Sequence, residues 1–129
     1  MRNFALYEYS AQQLLDDDPD GDTPIYENDM LISIGGSLST VHCRMLRSQA
    51  RTIMRSIVQD DVIAQALRER IQHAISNPDG NMPVDGAHPV NPAVHLIEKR
   101  AIFPVLGPQV PIGVIMHFVR LAYDEIQAR

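Results

Sequence analysis

The chain has 129 residues, a mass of 14.4 kDa, 45% hydrophobic and 21% charged residues, and a net charge of −5. That length sets a single domain, 1–129, with one sizeable core, and the apolar content excludes disorder over the whole chain. The acidic balance weighs against general nucleic-acid binding, which normally goes with a basic domain. The lone cysteine, Cys43, excludes an intrachain disulfide and any multi-cysteine zinc site, and a buried, inert thiol is expected.

At the N-terminus, MRNFALYEYS lacks the long apolar core of a signal peptide, and residues 2–9 alternate loosely enough to suggest a short strand. Ser10 is placed to cap one helical turn in AQQLL. Residues 16–24, DDDPDGDTP, read as an exposed acidic loop. Gly21 and Glu27 have the offset of a calcium-binding loop, but Pro19 and Pro24 break its register. Ile25-Tyr26 and Met30–Ile34 read as extended segments, the second as a buried strand ended by Gly35-Gly36. Strand, Gly-Gly, Ser/Thr and helix together outline an anion-binding turn. No Lys follows the glycines, so Ser37, Ser39 or Thr40 is read as a helix cap instead.

The central stretch from Thr40 to Ser76 is free of Pro and Gly and reads as two consecutive helices divided near Asp60-Asp61. Arg44, Arg47, Arg51 and Arg55 fall at helical spacing, a stripe spanning about 16 Å at 1.5 Å per residue. Such a row could contact phosphate or an acidic partner, or stand as a solvated face. Leu46, Ala50, Ile53, Met54 and Ile57 form the adjoining apolar face, and Ile63, Leu67, Ile71, Ala74 and Ile75 the face of the second helix.

Residues 77–91 hold three prolines and two glycines and read as a long loop that is functional, flexible or engaged with another chain. Asn91-Pro92 marks a helix start, and that helix is expected to end near Phe103-Pro104. After a Pro-rich linker, Pro111 opens a last helix that is apolar almost all round from Ile112 to Ala122. That run is too short to span a membrane and contains His117 and Arg120. Its residues Ile112, Ile115, Phe118, Val119, Ala122 and Ile126 are the candidate oligomer interface.

Catalytic and metal motifs are missing. His42, His73, His88, His95 and His117 share no metal-ligand spacing, and GGSLS lacks the second Gly of a nucleophile elbow. No cofactor and no metal are expected.

The expected fold is mainly α, about four helices with a small extended or β portion at the N-terminus: an arm over 1–36 and a helical core over 37–129. The leading functional expectation is a non-catalytic, cytoplasmic interaction or assembly protein, self-associating through 112–126 and contacting an unidentified protein partner. A viral or phage structural component fits that description. The alternatives are a nucleic-acid or phosphate-binding module using the Arg stripe, and a small enzyme with a site of dispersed His and carboxylate residues.

Overall fold

The computed structural model describes residues 5–16, 23–76 and 92–128. The loop over 77–91, most of the acidic loop and residues 2–4 of the expected first strand lie outside that range. Ala5–Glu8 forms a 3₁₀ turn rather than a strand, because Leu6 is buried in the core and Tyr7 stacks edge-on against Tyr26 and His117. Helix α1, Ala11–Leu15, begins at Ser10, whose Oγ accepts from Gln13 N while Gln13 Oε1 accepts from Ser10 N. This reciprocal pair satisfies two N–H groups that a helix start otherwise leaves unmet.

The extended residues form a single long antiparallel ribbon of β1, Pro24–Ile34, and β2, Ser37–Leu46. At about 3.3 Å per residue, β1 is on the order of 36 Å long. Gly35 and Gly36, at φ 58° and 84°, make the two-residue turn, a mirror-image conformation that suits the twist of paired strands. A bulge between Pro24 and Tyr26 inserts Ile25, so that Ile25 and Tyr26 are both turned inward and buried.

The helix expected from Thr40 therefore begins seven residues later, at Arg47. The local pattern explains why. Cys43 and Met45 are buried while His42 and Arg44 are exposed, which is the two-residue period of a strand. The backbone turns helical only after Leu46, where Gln49 Oε1 accepts from Leu46 N at 2.8 Å and Arg47 N donates to Thr23 O at 2.8 Å. The arm thus runs from Pro24 to Leu46 rather than ending at Gly36, and α1 packs with the helical core.

Helix α2, Arg47–Gln59, and α3, Asp61–Ser76, meet at Asp60. Asp60 Oδ1 accepts from Val62 N and Ile63 N, capping α3, while Oδ2 receives Arg100 Nε at 2.6 Å. Helix α4 is continuous through Pro92–Ile97, a π turn at Glu98–Ile102, and Phe103–Leu106. It passes through Pro104 instead of stopping there. The π turn, with Phe103 N donating to Glu98 O, widens the helix ahead of the proline ring, which would otherwise clash with the carbonyl four residues back. Gly107, at φ 85°, ends it. Helix α5, Ile112–Gln127, follows Pro111 as expected. The described residues therefore hold five helices and one two-stranded sheet, one helix more than expected.

The core is a single cluster in which Ile53, Met54 and Ile57 of α2, Ile63 and Leu67 of α3, Ile97 of α4 and Phe118 and Ala122 of α5 are all buried. Burying each large apolar side chain contributes about 1.5–3 kcal/mol. No described helix is long and apolar enough to cross a membrane.

Candidate interaction surface

The four arginines do not form one row. Arg44 projects from β2, opposite Glu27, on the exposed face of the ribbon. Arg47 is only 4% exposed; its Nη2 donates to Gln13 O and its guanidinium lies 5.4 Å from the Tyr9 ring centroid. Arg51 is half-buried, with Nε donating to Asp16 O at 3.2 Å. Arg55 is exposed one turn further along α2. Arg47 and Arg51 thus fasten the carbonyl end of α1 to α2, where cationic groups are favoured by the helix dipole. What reads as a binding stripe is in half its members an internal clamp.

The residues of the expected α5 interface lie mostly inside the chain. Ile115, Phe118, Val119, Ala122 and Ile126 are buried within the chain's own core, and only Ile112, 67% exposed, faces outward. The four other helices pack against this helix, so most of its apolar circumference is covered within the chain.

The most exposed apolar side chains, Leu31 and Leu38, lie at the far end of the ribbon, while Ile112 and Met116 stay exposed on α5. Leu31 is 70%, Leu38 74% and Ile34 56% exposed. Directly paired residues share a face, so Leu31, across from Thr40, and Leu38, across from Ser33, are diagonal neighbours on one side. Ile32 and Ile34 lie on the other side, which closer to the body becomes the buried face carrying Cys43, Met45 and Tyr26. From Met30 to Val41 the ribbon carries no charge. Neither edge pairs with a further strand among the described residues. Met30–Ile34 is thus extended as expected, but its outer end is exposed rather than buried.

Nearer the body the exposed face is charged, and the charges are sorted by strand. Glu27 and Asp29 are on β1; His42 and Arg44 are on β2. His42 Nδ1 lies 2.6 Å from Asp29 Oδ1 and Nε2 lies 2.8 Å from Glu27 Oε2. These hydrogen bonds, to Asp29 first and Glu27 second, hold the imidazole above its ordinary range. The two nitrogens face separate carboxylates, so they do not converge on a common ligand. Among the described residues no group of three or more His, Cys, Asp and Glu is arranged to hold a metal.

A second cluster lies where Tyr7 of the 3₁₀ turn stands between the ribbon base and α5. The Tyr7 ring stands edge-on to His117 at 4.7 Å and to Tyr26 at 6.1 Å. Burial pushes the Tyr7 phenol and the Cys43 thiol up and His117 down, so all are kept uncharged. A neutral thiol is a poor nucleophile, and His42 beside it points to the opposite face of β2. Among the described residues, two shallow clefts stand out. One, about 330 Å³, lies between Val41–Arg44 and Leu106–Gln109; the other, about 400 Å³, lies between α3 and Leu96.

The ribbon had a signal in the sequence. Gly35-Gly36 sits between two runs of strand-forming residues, a hairpin pattern as well as an anion-turn pattern. Comparison with protein-family models, curated proteins and solved structures returned no match.

Proposed function

We propose that this chain is a non-catalytic assembly protein that self-associates through the outer half of its β ribbon rather than through α5. The observation that carries the reading is the exposure of Leu31 and Leu38 side by side on a charge-free ribbon end. Exposed apolar clusters on a soluble body mark contact surfaces, and unpaired strand edges are templates for further pairing. A two-stranded ribbon is marginal alone and gains stability when further strands or a packing surface complete it.

The phosphate-binding alternative loses support because Arg47 and Arg51 spend donors on backbone carbonyls of the same chain. The test is sedimentation velocity of the wild type beside Leu31→Glu/Leu38→Glu and Ile112→Glu. The reading expects a concentration-dependent oligomer for the wild type and for Ile112→Glu, and a monomer for the ribbon variant. A monomeric wild type at high concentration, or a ribbon variant that assembles normally, overturns it.

A further inference from the structure

We infer that copies of this chain associate head to tail through their ribbons: the β2 edge of one copy adds to the β1 edge of a second copy, tips pointing the same way. The inference rests on the proposed self-association and supplies its geometry.

Charge complementarity selects this arrangement. On the exposed face, β1 carries only carboxylates, Glu27 and Asp29, and β2 carries only basic groups, His42 and Arg44, at matching heights along the ribbon. When β2 of one copy lies beside β1 of the next, the order across the sheet is acidic, basic, acidic, basic. Each column then has the opposite sign on both sides, at the strand spacing of about 4.8 Å. Twofold pairing sets β1 against β1 or β2 against β2 and loses the match: an axis along the strands turns the two charged faces to opposite sides of the sheet, and an axis normal to the sheet points the tips in opposite directions. The uncharged segment with Leu31 and Leu38 extends the same contact outward, where apolar neighbours cover one another.

Size excludes a flat open sheet. Two strands advance the sheet by about 10 Å per copy. A chain of this length has a radius of gyration of about 14 Å, so its body is more than twice that wide. Ribbons can adjoin only if the bodies fan outward to a larger radius. Head-to-tail contacts of that kind generate closed rings when the rotation between copies closes and open helical filaments when it does not.

Two variant pairs test this. Glu27→Lys/Asp29→Lys makes both strands basic, and His42→Glu/Arg44→Glu makes both acidic. Each alone is expected to remain monomeric where the wild type assembles, and an equimolar mixture is expected to assemble. Either variant assembling alone as well as the wild type, or a mixture that stays monomeric, overturns the arrangement. A second measurement does not depend on how those variants fold. In a Cys43→Ser background, copies bearing Leu31→Cys are mixed with copies bearing Thr40→Cys and oxidised. Head-to-tail pairing gives a disulfide only between unlike copies. Homodimers of either single variant, or no cross-link in an otherwise normal oligomer, overturn the head-to-tail inference while leaving ribbon-mediated self-association standing. A wild type that never associates brings down both.

Discussion

Asp29 and His42 face each other across the ribbon, 2.6 Å between Oδ1 and Nδ1, with Glu27 closing on the other imidazole nitrogen at 2.8 Å. The folded chain therefore favours the protonated ring. Because the folded value is raised, this stabilisation is fully present below the unfolded value of about 6.5 and is lost as pH rises through the folded one. Proton NMR titration should place His42 above the ordinary range. Asp29→Asn should lower it more than Glu27→Gln, and a His42 that titrates at or below about 6.5 contradicts the geometry.

Arg47 predicts a different kind of loss. It is buried, donates to Gln13 O and covers the Tyr9 ring, so Arg47→Ala removes a charged hydrogen bond and opens space between α1 and α2. Urea unfolding should show a cost of about 1.5–3 kcal/mol. Arg51→Ala, at a half-buried position with a longer bond, should cost less. Equal, negligible effects would mean that the two side chains belong to the surface after all.

At Asp60 two roles can be separated. The hydrogen bond from Arg100 is the leading reason its carboxyl titrates below the usual range. Stability from that shift is present above the unfolded value of about 3.9 and fades as pH falls through the folded one. Asn caps helices as well as Asp, so Asp60→Asn should lower Tm at neutral pH and converge on the wild type in acid, whereas Asp60→Ala should also lose about 1 kcal/mol of capping. A Tm gap between Asp60→Asn and the wild type that stays constant with pH would remove the charge from the account.

The ribbon turn is set by backbone conformation alone. A Cβ at Gly35 or Gly36 would meet nothing within 4 Å, yet both residues hold positive φ. Gly36→Val should therefore cost about 1–2 kcal/mol of local strain, while Gly35→Asn, a residue that tolerates the left-handed region, should be nearly silent. Amide exchange at Ile34 and Ser37 distinguishes the two. If both variants behave alike, the turn is not of the mirror-image type.

Much of the helical body was legible because its signals are local. Ser10, Asp60 and Pro111 each mark a helix start, and the apolar stripe at Ile53, Met54 and Ile57 is the face that packs inward. The ribbon was obscured by a coincidence of spacing. Arg44, Arg47, Arg51 and Arg55 fit a helical period, although Cys43 and Met45 alternate with His42 and Arg44 as a strand does. Alternation over so few residues competes poorly with a longer helical pattern. The apolar circumference of α5 misleads for another reason: periodicity says that a face is apolar, not whether the same chain covers it. Here the chain's own core covers Phe118, Val119 and Ala122. The exposure of Leu31 and Leu38, by contrast, follows only from the ribbon's reach beyond the body.

The most direct test of the account is amide hydrogen exchange along Met30–Val41, measured by mass spectrometry across a dilution series. Assembly through the ribbon predicts strong protection of these residues at high concentration that is lost on dilution, while helix α5 keeps its protection throughout. Rapid exchange of Met30–Val41 at every concentration would contradict the account and leave the exposed leucines without a partner.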